Sequence, residues 1–280
     1  MFVWSKLSSE KWADAWEERF TGESRAVITR IVGRTMIRVE VYCQHKKEAN
    51  AIKALFGGSV RELKSQNWAA MVPELPPPVK VRGKLVVVAE RRPKELATLA
   101  REYPGQHLIS IPPDMAFGTG HHATTATVLR MLVDFAKTQE GKPWTMLDLG
   151  TGSGVLAIAA EKLGATNIWG CDYDDKAVKV ALENLRRNKA KRVVIEEADV
   201  LKWKPKVKWD CVAANLFSDV LSEAFPKIAR AVKKKGRVFV SGILKSQSEA
   251  CLDAGREAGL VFEEIVTRGK WVTARGRLKD

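Results

Sequence analysis

Cysteine is scarce in this chain, and what little there is stands apart: Cys43, Cys171, Cys211 and Cys251 are the four in 280 residues. Such wide separations exclude the framework of a disulfide-stapled domain and the paired spacing of a structural zinc site, so buried thiols are expected. Long apolar runs are missing too. No stretch reaches the ~20 residues that cross a bilayer, and the opening Met1-Phe2-Val3-Trp4-Ser5-Lys6 has no basic segment leading into an apolar one of signal-peptide length. A cytoplasmic, soluble monomer without membrane partners is the expectation.

Acid is the scarcer charge, with 33 Asp and Glu against 47 Lys and Arg, for a net charge of +14. Clustered base releases counterions when it neutralises phosphates, so possible RNA contact has to be weighed. Two groups stand out: Lys189, Lys191, Arg192, Lys202, Lys204, Lys206 and Lys208, then Lys233, Lys234, Lys235 and Arg237. Both flank expected strand ends, where a solvated, solubilising face is the commoner explanation. Both readings stay open.

A hydrophobic content of 45% over this length allows a full core plus a smaller appended domain. Ser8-Ser9-Glu10 opens a helical run through Trp12, Ala15, Trp16 and Phe20. Ala26-Val27-Ile28 and residues 36–41 read as strands around a Gly33-Arg34 turn. Residues 48–56 read as a second helix closed by Gly57-Gly58, and a strand follows near Val60. This β-α-β-β-α-β order over residues 1–64 is the split pattern of a small α+β, ferredoxin-like domain. Pro73, Pro76, Pro77 and Pro78 then deny backbone donors, and residues 65–104 are expected to be a semi-rigid linker, with a strand at 85–89. Apolar runs at 146–149, 168–171, 193–195, 211–214 and 238–240 alternate with helical ones, which gives an α/β domain over 105–280 with a parallel sheet. Residues 261–267 and 271–274 around Arg268-Gly269 read as a closing antiparallel hairpin.

The run Leu147-Asp148-Leu149-Gly150-Thr151-Gly152-Ser153-Gly154 ends a strand and opens a helix, where glycine lets the backbone turn sharply against a nucleotide-like cofactor. A pyrophosphate is disfavoured, because the dinucleotide pattern needs glycine at 155 and the chain has Val155. Helix N–H groups after Gly154 suit instead the carboxylate of a methionine moiety. Asp172 ends the next strand about 20 residues on, the place from which a carboxylate accepts hydrogen bonds from ribose hydroxyls. Helix capping falls to Asp174 or Asp175. Asp199 closes the third strand and is a candidate acceptor for an adenine amino group, with a solvated loop acid as the alternative.

Upstream stands Met115-Ala116-Phe117-Gly118-Thr119-Gly120-His121-His122-Ala123-Thr124-Thr125. Together with residues 150–154, Gly170-Cys171-Asp172, Ala214-Asn215-Leu216, Ser241-Gly242-Ile243-Leu244 and Gly269-Lys270-Trp271-Val272, this segment resembles the bacterial methyltransferase family acting on large-subunit ribosomal protein L-eleven (L11). The likeness covers roughly residues 105–277. It implies a class I methyltransferase fold, Rossmann-like, with a seven-stranded sheet behind a small substrate-recognition domain at 1–64, and S-adenosyl-L-methionine as cofactor. It places cofactor contacts at Thr125, Gly150, Asp172 and Asn215, with the loop Phe117, Gly118, Thr119 and Gly120 folding over the cofactor; Gly152 and Asp199 are candidates from the turn and strand-end readings above. The family has Pro-Gly-Met where this chain has Pro113-Asp114-Met115, and the N-terminal domain matches in pattern only. His121 and His122 lack an accompanying acid or cysteine at ligand spacing, so loop packing is expected of them rather than metal.

Methyl transfer from a sulfonium is an in-line displacement, which asks the protein chiefly for alignment. Asn215 is the candidate catalytic residue, able to orient the amine or the cofactor. It is followed by Leu216-Phe217-Ser218, whereas enzymes that methylate amides or adenine rings carry Asn/Asp-Pro-Pro-Tyr there. A lysine ε-amino or N-terminal α-amino group, most naturally of L11, is the expected substrate. Two alternatives remain: a related methyltransferase on another protein or small amine, and a non-catalytic RNA- or ribosome-binding module.

Overall fold

The computed structural model describes residues 2–20, 25–31, 35–62, 75–112 and 118–279, in two compact units, Met1–Glu74 and Leu75–Asp280. The first holds β1 (Phe2–Ser9), α1 (Ala13–Arg19), β2 (Ala26–Arg30), β3 (Met36–Cys43), α2 (Lys46–Phe56) and β4 (Ser59–Glu62). Its sheet has the order β2-β3-β1-β4 and is antiparallel throughout, the split pattern expected. Strand alternation decides the buried face: Ile37, Val39, Val41 and Cys43 point inward along β3. Trp4 is wholly buried among the rings of Trp16, Phe20 and Phe56, with centroids 6.2, 6.3 and 6.2 Å away, and its indole N–H donates to the Gly57 carbonyl at 2.6 Å. Glycine is required beside that contact. At Gly58, φ is 85° and a Cβ would lie 2.6 Å from the Ser5 carbonyl oxygen. The turn at Gly33-Arg34 lies outside the described residues.

In the second unit the structure departs from the linker expected at 65–104. Residues 65–74 lie outside the described residues. Beyond Pro76-Pro77-Pro78 the chain forms β5 (Val79–Val81), β6 (Leu85–Val88), α3 (Pro93–Glu102) and β7 (His107–Ser110), a small sheet ordered β5-β6-β7. Burial is the reason. Leu85, Val86, Val87 and Val88 are all inaccessible, a run that solvent could not accommodate, and Pro93 serves at the first turn of α3, where no donor is lost.

The main sheet follows α4 (Ala123–Thr138): β8 (Thr145–Leu149), α5 (Val155–Lys162), β9 (Asn167–Asp172), α6 (Asp175–Arg187), β10 (Val193–Glu197), β11 (Trp209–Asn215), α7 (Ser218–Ala231), β12 (Val232–Leu244), α8 (Ser248–Glu257), β13 (Leu260–Arg268) and β14 (Trp271–Leu278). The strand order is β10-β9-β8-β11-β12-β14-β13. The first five are parallel, and β14 enters antiparallel between β12 and β13. Alternate residues serve opposite faces. Met146, Ile168, Ala213 and Phe239 pack with α4, α5 and α6, while Leu147, Val212, Ala214 and Val240 pack with α7 and α8. Because β8, β9, β10 and β11 run the same way, Leu149, Asp172, Glu197 and Asn215 end on one edge, where open α/β sheets receive ligands. The four cysteines are free and buried.

Candidate functional site

The turn after β8 is built from three left-handed glycines, Gly150, Gly152 and Gly154, with φ of 71°, 53° and 79°. Space reinforces φ at the ends: a Cβ on Gly150 would fall 2.2 Å from Leu216 Cδ2, and one on Gly154 3.3 Å from Ala181 Cβ. The Gly150 and Thr151 N–H groups both donate to the Cys171 carbonyl at 2.9 Å, which locks the turn against the end of β9. Asp172 Oδ2 accepts from the Gly152 N–H at 2.9 Å and Oδ1 from the Asp174 N–H at 3.2 Å, so the carboxylate is held rigidly at the strand end. Asp174, as expected, caps α6 by accepting from the Lys176 N–H at 2.9 Å.

Beneath the turn lies Asp148, with no exposed surface. Burial pushes its carboxyl up to about 7; the Thr151 hydroxyl, donating to Oδ2 at 2.7 Å, pulls the other way, and the neighbouring charge of Asp172 adds to the rise. Its Oδ1 has no partner among the described residues.

Gly118 comes to the same turn, while Thr119 Oγ1 lies 3.4 Å from His121 Nδ1 and a Cβ on Gly120 would meet Val87 at 3.2 Å. The Gly118 carbonyl accepts from Ser153 Oγ at 2.7 Å, and Gly118 and Gly120 have φ of 102° and 88°. Residues 113–117, with Phe117 and the Pro113-Asp114 departure, lie outside the described residues. His121 Nε2 meets the Pro77 carbonyl oxygen at 2.8 Å; the His122 ring caps α4 and packs edge-on to Trp271 at 5.1 Å. Both are packing roles.

From the other side, Asn215 Nδ2 donates to Thr125 Oγ1 at 3.4 Å, joining the end of β11 to the first turn of α4. Asn215 Oδ1 is shielded from water and has no partner among the described residues. Gly242 backs this corner: its φ is 87°, and a Cβ would lie 2.3 Å from the Leu216 carbonyl oxygen. Asp199 is partly committed elsewhere, since Oδ1 accepts from the Leu201 N–H at 2.9 Å and Oδ2 pairs with Lys202 at 3.5 Å.

Two aromatic residues at this edge have no site role in the sequence reading, which names Phe217 only as part of the segment after Asn215. Tyr173 directly follows Asp172 and is 79% exposed; Phe217, two positions after Asn215, is 73% exposed. Aromatics that open at strand ends beside polar ligand groups are the signal that marks them. Two open pockets of the second unit, about 310 and 540 Å³, contain no residue of the glycine turn.

A central β8 whose glycine turn faces an acid closing β9, in a sheet of this order with β14 reversed, is the architecture of a class I methyltransferase. The model of the family described as Ribosomal protein L11 methyltransferase (PrmA) matches residues 27–279. Relatives of that name from Caldanaerobacter subterraneus subsp. tengcongensis and Listeria innocua are 36% and 33% identical, over 74% and 76% of this chain. The crystal structure of a ribosomal protein L11 methylase from Lactobacillus delbrueckii subsp. bulgaricus aligns with a TM-score of 0.60 at 28% identity, covering 72% of this chain and 99% of that one. This chain belongs to the ribosomal protein L11 methyltransferase family. It spans 62% and 65% of the length of the two curated relatives.

Proposed function

We propose that this protein transfers methyl groups from S-adenosyl-L-methionine to lysine ε-amino or N-terminal α-amino groups of ribosomal protein L11, as a cytoplasmic monomer. The observation that carries the reading is Asn215. Its amide N–H is taken by Thr125, which leaves the shielded Oδ1 as a free acceptor at the ligand edge. An incoming amine has N–H to donate and needs its lone pair turned elsewhere; a single fixed acceptor supplies that orientation.

The cradle suits the cofactor's other parts. Gly150 and Gly152 bring bare backbone to the ligand, Asp172 is fixed to accept both ribose hydroxyls, and N–H groups at the start of α5 suit a carboxylate. Asp199, through the oxygen shared only with exposed Lys202, is assigned the adenine amino group. Gly118, Thr119 and Gly120, with Phe117, are assigned to cover the site, and Tyr173 and Phe217 to flank it. The cofactor contributes a methyl carried on a sulfonium. Excluding water disfavours the ammonium form of the substrate, lowering a lysine pKa from ~10.4 and making the lone pair available.

In this reading the unit Met1–Glu74 recognises the substrate and Leu75–Asp280 performs the transfer. Among the described residues, no helix is long and apolar enough to cross a membrane. RNA contact through the basic groups at 189–208 and 233–237 completes the proposed set of partners. Label transfer tests the main reading. Incubated with methyl-labelled cofactor and ribosomal proteins, the enzyme should place label on L11 amines; label settling on another protein or on a small amine would refute the substrate.

A further inference from the structure

Between β10 and β11 the chain reads Leu201-Lys202-Trp203-Lys204-Pro205-Lys206-Val207-Lys208-Trp209, a lysine at every second position. In an extended segment that period puts like side chains on one side, ~6.6 Å apart. Lys202 lies in a turn; beyond it Lys204, Lys206 and Lys208 are exposed, Trp203 and Pro205 are half-buried and Trp209 is buried, and the alternation breaks at Val207, which is exposed. The apolar side is fastened to the body. Trp203 stacks on Trp169 with centroids 5.7 Å apart and planes at 18°, and Trp169 Nε1 donates to Glu196 at 3.1 Å. The Lys227 ammonium of α7 donates to the Leu201 carbonyl, and the Lys202 and Trp203 N–H groups donate to the Asp199 carbonyl at 3.0 and 2.8 Å.

The comb ends beside a second cluster, because Trp209 pairs with Val232 at the start of β12. Of the lysines there, Lys233 is neutralised by Asp210 at 2.8 Å. Lys202 is likewise paired with Asp199. Among the described residues, Lys204, Lys206, Lys208, Lys234 and Lys235 have no acid partner, and Lys204, Lys206, Lys208, Lys234 and Lys235 are all exposed. Loops that need only solubility mix both signs; this one keeps a single sign at fixed spacing.

We infer that the lysine comb at 204–208, extended by Lys234 and Lys235, docks the phosphate backbone of an RNA without reading its bases; this rests on the RNA reading proposed above. A backbone that repeats one charge per nucleotide matches a row that repeats one charge per two residues. A membrane surface fits less well. Interfacial segments keep their apolar side for lipid, whereas here Trp203 and Pro205 are half-buried and Trp209 is buried, which leaves Val207 alone exposed.

The test uses the full chain and a labelled RNA hairpin, with anisotropy titrations from about 50 to 200 mM salt. Wild-type affinity should fall with a log–log slope of about −3 to −5. The triple variant Lys204→Ala, Lys206→Ala, Lys208→Ala should bind at least about tenfold more weakly, with a slope shallower by about 2 to 3. A control that loses the same charge from exposed positions of α2, Lys46→Ala, Lys47→Ala, Lys53→Ala, should leave both unchanged. Thermal melts and cofactor binding check that the comb variant is folded, and Gln at the same positions replaces Ala if its melt is lowered. Wild-type affinity in the comb variant would overturn the comb while leaving RNA contact standing. Equal losses in comb and control would also overturn it. No salt-dependent RNA binding by the wild type, or stronger binding to anionic vesicles than to RNA, would overturn both.

Discussion

Asp148 shows how one residue ties sequence, packing and pH together. A carboxyl whose pKa rises from 3.8 unfolded to about 7 folded binds its proton more tightly in the native state. Between those values the native state therefore holds more protons, and stability falls as pH rises, by up to ~1.4 kcal/mol per unit. The penalty is absent below about pH 4 and complete above about pH 7. Asp148→Asn removes the ionisation. Its melting temperature should gain on the wild type between pH 5 and pH 8, and parallel pH profiles would count against this account. At the site, Asp172→Ala deletes the carboxylate proposed to accept the ribose hydroxyls, together with its bonds to the Gly152 and Asp174 N–H groups, and should weaken cofactor binding by about 100-fold, read by calorimetry. Asn215→Ala acts differently. With Oδ1 reserved for the amine, kcat should drop about 100-fold while the cofactor Kd stays within about threefold; equal losses in both would make Asn215 a cofactor ligand alone.

Among the elements, glycines separate strain from collision. Gly141 and Gly242 both have φ in the left-handed region, 76° and 87°, but a Cβ meets nothing within 4 Å at Gly141 and the Leu216 carbonyl oxygen at 2.3 Å at Gly242. Gly141→Ala should cost about 1 kcal/mol and Gly242→Ala about 3 kcal/mol or more, measured by urea unfolding. Period and turn chemistry explain why so much of the architecture was legible in the sequence. The alternation of β3, the glycine turn after β8 and the two-residue turn of the β13–β14 hairpin each have a local signature. The region 75–104 did not. Its prolines announce a break, yet the tertiary burial of Leu85 and Val87 in the core that α4 lines decides the outcome, and no local pattern encodes that. Likewise Thr125 and Asn215 were singled out separately, but their hydrogen bond joins residues 90 positions apart and only the fold brings it about. Exposure, too, is invisible in sequence, so nothing local gives Tyr173 or Phe217 a place at the site.

For the whole molecule, the two units predict a division of labour. A chain starting at Leu75 retains the entire seven-stranded sheet and the glycine turn, so it should bind cofactor within about threefold of the full protein and lose methyl transfer to L11. Transfer at the full rate by this fragment would remove the recognition role from Met1–Glu74. The central claim is that the turn at Gly150 and the carboxylate of Asp172 hold an adenosyl group bearing a sulfonium, and not a pyrophosphate. Calorimetric titration of the full chain with S-adenosylhomocysteine, and separately with a nicotinamide dinucleotide, tests it most directly. Heat and a single saturating site with the first and none with the second is the result predicted; binding of the dinucleotide and silence with the adenosyl ligand would contradict it.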